Sequence, residues 1–254
     1  MVEVTALSFM KCTADPPEAG VAGPPPLNLL SPTAAWSASR QLLSAYSGPF
    51  YNLTSGKVDT LYDQSGNSRD LTQGTGAFRP TAHTSTAAPA LYFAGSNQLA
   101  VTAALSSFIT ATTGYMIASV KNFNFLTHNP TQPYANAFAL IDNPQNFGIT
   151  FDSNSGSPLF YAVNNGALAG SVLAGVPYVL EVRHESGVLY NRINGSGETS
   201  ASDGNTLMNG TIMRMGGGAY NGLIYEAATF ATVPTLAQRD AMVQAFGQYI
   251  GASV

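Results

Sequence analysis

The run PYVLEVRH at residues 177–184, followed after a one-turn gap by GVLYNRING at 187–195, decides the fold. Two strand-forming runs joined by Glu185-Ser186-Gly187 and closed by Asn194-Gly195 carry the signature of a meander hairpin. Working outward, similar short runs recur at 91–95 (LYFAG), 114–120 (GYMIASV), 136–142 (NAFALID), 147–152 (FGITFD) and 158–163 (PLFYAV). Two more follow at 211–217 (TIMRMGG) and 222–230 (GLIYEAATF), with turn chemistry at Asn164-Asn165-Gly166 and Asp203-Gly204-Asn205. Regularly spaced strands with no helix between them predict an all-β sandwich or barrel and exclude a βαβ fold.

Helices are expected only at the flanks. Ser31 as N-cap and Pro32 at N1 predict a first helix with Trp36, Ser39, Leu43 and Tyr46 on one face, stopped by Gly48-Pro49. Thr235 with Gln238 forms a capping-box pattern, and Leu236, Val243, Phe246 and Ile250 line one stripe of a terminal helix. Ahead of all this, Asp15-Pro16-Pro17 and Pro24-Pro25-Pro26 read as a semi-rigid extended stretch. No internal repeat is visible, so the expected organisation is an N-terminal arm over residues 1–32 and one sandwich over 33–254.

Composition narrows the function classes. Only 9% of the 254 residues are charged, against about 25% in an average globular protein, so the surface is built from Ser, Thr, Asn, Gln and Gly. The net charge is −4 and the ten basic residues are scattered, which excludes the concentrated basic footprint of a nucleic-acid binder. No run approaches the ~18 apolar residues of a membrane span, so no membrane partner is expected. The N-terminus carries Glu3 and no basic region, unlike a signal peptide. The single cysteine, Cys12, allows no intrachain disulfide and has no histidine near it in sequence.

Three segments in order resemble a known family: SASRQLLSAYSGPFYNL at 37–53, DTLYDQSGNSRDLTQ at 59–73 with ALYFAG at 90–95, and MRMGGGAYNGLIYEAATF at 213–230. Together they resemble the concanavalin-A-like catalytic domain of α-L-arabinofuranosidase B and the related laminin-G-like domains of bacteriophage structural and tail proteins. The resemblance implies a concanavalin-A-like jelly-roll β-sandwich over roughly residues 33–252. It further implies a general-acid aspartate after a glycine pair, where this chain has Gly218 after Gly216-Gly217. It implies a glutamate nucleophile in a mid-domain strand, where NAFALID offers Asp142. The family's paired cysteines have no counterpart.

Glycoside hydrolysis needs two carboxylates, about 5–5.5 Å apart for retention and about 6.5–9.5 Å for inversion. Of the 14 acids, Asp142, Asp152, Glu181 and Glu226 fall on or beside strands; the others fall in the arm, at turns or on the terminal helix. Asp63, Ser65, Gly66 and Asn67 are turn-building residues, and a calcium ion on Asp63, Asn67 and Asp70 is the alternative. The histidines His83, His128 and His184 occur singly, with no zinc motif. Gly216-Gly217-Gly218 is not followed by a phosphate-loop GKS/T and reads as a bulge or close backbone approach. No metal and no cofactor is therefore expected. Sugar recognition uses aromatic faces beside amides; Phe123, Phe125, His128, Tyr134, Tyr220 and Asn221 are the candidate ligand-binding residues.

These features combine into one expectation: a non-enzymatic bacteriophage virion protein, a capsid decoration, head-fibre or tail component. The arm would bind other virion proteins, the sandwich would meet host polysaccharide, and its edge strands leave a homo-oligomer open. The alternative is a glycoside hydrolase related to α-L-arabinofuranosidase, using Asp142 or another strand acid.

Overall fold

In the computed structural model, which describes residues 27, 30–84, 88–123, 135–142, 145–152, 159–162, 168–202, 211–218 and 220–254, the 177–195 run folds as a hairpin. Ser186 and Gly187 take φ of 51° and 79°, the left-handed pair whose twist matches that of the flanking strands. In chain order the strands begin with β1 (Ala34–Ser37), β2 (Tyr51–Thr54), β3 (Lys57–Leu61), β4 (Leu71–Thr72), β5 (Thr81–His83) and β6 (Ala90–Gly95). Next come β7 (Gln98–Thr102), β8 (Thr113–Asn122), β9 (Ala135–Asp142), β10 (Gln145–Asp152), β11 (Leu159–Ala162) and β12 (Leu168–Ser171). The last are β13 (Pro177–Glu185), β14 (Val188–Ile193), β15 (Thr199–Ser202), β16 (Ile212–Gly216) and β17 (Tyr220–Phe230), before helix α1 (Leu236–Ile250).

The strands make two antiparallel sheets, so the protein is an all-β sandwich. One sheet runs β15-β14-β13-β8-β17-β6-β5, with β1 also paired to β17; the other runs β12-β11-β10-β9-β16-β7-β4-β3-β2. Trp36, Phe93, Phe138, Phe147, Phe151 and Tyr220 fill the space between them. The Trp36 and Phe138 rings meet edge to face, 5.6 Å between centroids. A second cluster lies on the outward face of the eight-stranded sheet, where Tyr115, Ile117, Val179, Ala228 and Phe230 are roofed by Met242, Val243 and Phe246 of α1. The helix starts at the expected capping box: the Thr235 hydroxyl accepts from the Gln238 N–H, and the Gln238 side chain returns to the Thr235 N–H. No helix among the described residues is long and apolar enough to cross a membrane.

The expected first helix does not form. Its residues Ala34–Ser37 are β1, paired Ala35↔Ala228 and Trp36↔Ala227 with β17. All four are buried: Ala34 and Trp36 enter the inter-sheet core, while Ala35 joins the cluster beneath α1. Burial on both faces of a sheet overrides a capping signal that acts on local propensity alone. Residues 1–26 of the expected arm lie outside the described residues. Leu27, assigned to that arm, is fully buried beneath α1, and its N–H donates to the Leu42 carbonyl.

The turn after β3 is organised by Asp63. Its Oδ1 accepts from the backbone N–H groups of Ala35 (3.0 Å) and Ser65 (2.9 Å); its Oδ2 accepts from Ser65 Oγ (2.7 Å) and the Arg69 N–H (3.1 Å). Asp70 accepts in turn from the Asp63 N–H. The carboxylate oxygens that a calcium ion would require are thus engaged by protein donors, and the turn ties β1 to the segment joining β3 and β4. Asp63→Ala is expected to lower stability by about 3 kcal/mol, because charged hydrogen bonds are lost and buried N–H groups are left unpaired. Urea unfolding checks this: the midpoint falls with an unchanged slope, and added calcium leaves the wild-type midpoint where it was. A loss under about 1 kcal/mol would contradict the assignment.

Candidate functional site

The four strand acids separate by sheet. Glu181 on β13 and Glu226 on β17 both stand beneath α1 and are 1% exposed. Glu226 holds Arg40 through two contacts, Nη2 to Oε2 at 2.7 Å and Nε to Oε1. Glu181 Oε1 accepts from the Tyr115 hydroxyl at 2.7 Å, and Arg192 Nε lies 3.4 Å from its Oε2. Burial pushes both carboxyls above their ordinary values, against the pull of their arginine and tyrosine partners. Around them Arg192 reaches Asp240 of α1 (2.6 Å), and Glu198 joins Arg183 (2.7 Å) to Arg239 of α1 (2.7 Å). These groups fasten the helix to the sheet.

The outward face of the nine-stranded sheet is built differently. Antiparallel partners point to the same face, and the ladder aligns Asn52, Thr60, Thr72, Ala100, Arg214, Ala139 and Gly148 in one row. The row crosses from β2 to β10. It is exposed at Asn52 and Thr72, half-buried at Thr60, Ala100 and Arg214, and buried at Ala139 and Gly148. Small and hydroxylated side chains line this row, with one guanidinium standing among them. Arg214 belongs to β16, the central strand of the nine. Its neighbours Met213 and Met215 are buried in the core, so strand alternation turns Arg214 outward.

Beside this row the chain turns through Gly216, Gly217 and Gly218, all at positive φ (74°, 101° and 59°). A Cβ on Gly216 would lie 2.1 Å from the Phe93 ring, so the close backbone approach expected at this triplet is present. A Cβ on Gly217 would sit 3.1 Å from both Arg214 Cδ and Gln98 Oε1. The bare turn therefore lets Arg214 and Gln98 lie alongside it.

Asp142 and Asp152 end β9 and β10 of this same sheet. Asp142 pairs with Gln145 at the closed end of their hairpin, whereas Asp152 lies seven residues further along β10. At strand rise this is about 23 Å. The two backbones are too far apart for their carboxylates to flank one glycosidic bond.

Among the described residues, the expected ligand residues Phe123, Tyr220 and Asn221 do not share one surface. Tyr220 is fully buried between the sheets, stacked on Phe151 and edge-on to Phe93, with its hydroxyl donating to the Leu223 carbonyl. It has no face to offer a sugar, which corrects that assignment. Phe123 packs on Tyr92 (6.1 Å), and Asn221 Oδ1 accepts from the Tyr92 hydroxyl (3.2 Å), so these two are neighbours on the eight-stranded sheet. Phe125, His128 and Tyr134 lie outside the described residues. His184 Nδ1 lies 3.0 Å from the Thr112 carbonyl. Among the described residues no three His, Cys, Asp or Glu side chains converge as metal ligands. Arg214 was missed by the search for aromatics and acids; the Met-Arg-Met alternation in TIMRMGG was its only signal.

No protein-family model and no curated protein matches the chain by sequence. Solved structures do match by fold. A GH54 α-L-arabinofuranosidase soaked with a cyclic sulfate inhibitor superposes with a TM-score of 0.59 at 15% identity, over 86% of this chain and 63% of that one. An arabinofuranosidase complexed with arabinofuranosyl-α-1,2-xylobiose gives 0.62 at 16% identity, over 86% and 62%. A Trypanosoma rangeli sialidase gives 0.58 at 11% identity, over 87% and 33%. The chain thus spans under two thirds of the arabinofuranosidases and one third of the sialidase. These likenesses support the arabinofuranosidase side of the resemblance and not its phage side. They overturn the expectation of a non-enzymatic virion protein, since its neighbours in fold are glycosidases. That expectation leaned on Gly218 in the acid's place and on low charge, and neither excludes a carboxylate supplied by another strand.

The ion-pair network beneath α1 has a pH signature. Burial pushes the Glu198 carboxyl up, but hydrogen bonds from Arg183 and Arg239 outweigh it and hold the group at about 2. A depressed carboxyl contributes stability above its unfolded value, and that contribution is lost as pH falls toward 2. Glu181 and Glu226, shifted upward, act with the opposite sign. Glu198→Gln is expected to cost about 1–2 kcal/mol at pH 7 after solvent screening, and to flatten the loss of stability between about pH 5 and 2. Denaturant midpoints across that range check it; a variant whose acid limb matches the wild type would contradict it.

Proposed function

We propose that the chain is a glycoside hydrolase related to the arabinofuranosidases, with its sugar site on the outward face of the nine-stranded sheet. The observation that carries this reading is the contrast between the two outward faces. Helix α1 roofs one of them, where Glu226 and Glu181 are held by Arg40 and Arg192, whereas the other presents the row through Thr60, Thr72, Ala100 and Arg214, none of them fully buried. Small side chains allow a sugar ring to approach the backbone, and hydroxyl groups match its hydrogen-bonding needs. The likeness to glycosidases with bound sugar and inhibitor supports the same reading.

Hydrolysis needs one carboxylic acid to protonate the leaving oxygen and one carboxylate to attack or to activate water. Asp142 on β9, next to β16, and Asp152 on β10, one strand further, are acids of this sheet, and their separation means they do not serve together. One of them acts, with its partner carboxylate drawn from another segment. Glu181 and Glu226 stay with the helix.

A chromogenic aryl α-L-arabinofuranoside is the first substrate to try, followed by a panel of aryl glycosides. Turnover is expected, with one of Asp142→Asn and Asp152→Asn lowering kcat by about 10²-fold or more and the other changing it only a few-fold. Absence of turnover on every glycoside would sink the proposal. Equal large losses in both variants, with the fold intact, would sink the division of roles.

A further inference from the structure

We propose that Arg214 is the carboxylate-binding residue of a subsite for an acidic sugar, a hexuronate, on the outward face of the nine-stranded sheet; the assignment rests on the glycoside hydrolase reading above. The argument begins with a difference among the arginines. Arg40, Arg183, Arg192 and Arg239 each hold a carboxylate, and Arg69 and Arg79 each donate to backbone carbonyls. Arg214 alone among the described arginines has no acceptor among the described residues, and its Nε is buried. A guanidinium nitrogen withdrawn from water without an acceptor is a net cost to the fold. Burial also holds its pKa below the ordinary value, with no described charge acting against that.

The surroundings suit an incoming anion. The in-register neighbours of Arg214 on either side are Ala100 and Ala139, followed by Gly148, so no in-register side chain among these three is longer than a methyl group. Asp59 on β3 stands three strands away, about 14 Å off. That carboxylate is already held by Asn52 and Thr54. Gln98 lies alongside through Gly217 and adds a neutral amide, able to meet a hydroxyl.

The geometry favours a carboxylate over a neutral sugar. A guanidinium presents parallel N–H donors in a plane, and a carboxylate accepts two of them at once. Ala100 beside Arg214 is small and half-buried, which leaves room for a ring on the β7 side, whereas Ala139 and Gly148 on the β9 side are buried. The row then continues through Thr72 and Thr60 toward the exposed β2 edge, offering hydroxyls to neighbouring units of the same oligosaccharide.

Calorimetric titration of the full chain with trigalacturonate, its carboxyl-reduced neutral counterpart, a sulfated galactan oligomer and arabinotriose tests the assignment. The wild type is expected to bind trigalacturonate about tenfold or more tightly than the reduced sugar, a preference weakened by salt. Arg214→Gln, with an unchanged thermal transition, is expected to abolish that preference, and Arg214→Lys to restore part of it as a point charge without the fork. Binding of arabinotriose alone, or acidic binding that Arg214→Gln leaves unchanged, overturns this inference while the hydrolase reading stands. Preference for the sulfated oligomer over the uronate overturns the carboxylate assignment. If no saccharide is bound and no glycoside is cleaved, both readings fall.

Discussion

Strand β17 is the member on which both halves of the core depend. Its eleven residues pair with β8 along one edge and with β6 and then β1 along the other. The register shifts between Ile224 and Glu226, and the extra residue changes which side chains face inward. Tyr220, Ile224 and Ala227 therefore enter the inter-sheet core, while Glu226, Ala228 and Phe230 turn toward α1. One strand thus supplies a wall of each cluster, and it sets where the helix must lie.

The position of the helix determines which surface is left for function. Because α1 covers the eight-stranded sheet, Glu181 and Glu226 there are desolvated, shifted upward and tied to arginines. They are fastenings. On the opposite sheet the ladder lines up residues distant in sequence, from Asn52 to Gly148, into a single row. Among the described residues of this sheet Arg214 is a cation without an acceptor, and it stands on the central strand.

Much of this was legible in the sequence. The 177–195 hairpin, the capping box at Thr235 and the crowded glycines before Tyr220 follow from turn and cap chemistry that acts within a few residues. Other features depend on partners far along the chain. Nothing local to Ser31–Ser37 reveals that β17 will claim these residues as a strand. Nor does the text around Tyr220 tell a ring in a loop from one stacked on Phe151. The Asp63 motif was readable as a turn, but its hold on the Ala35 N–H is a tertiary fact.

The same division holds for function. Local periodicity established the sandwich and its strands, because a period of two and a left-handed turn are properties of neighbouring residues. Which acids are spent on ion pairs, which lie too far apart to share a substrate, and which arginine lacks a partner depend on the pairing of strands up to about two hundred residues apart. Only the assembled sheets could decide those points, since burial and charge pairing are set by what the whole chain brings together and not by what stands next in sequence.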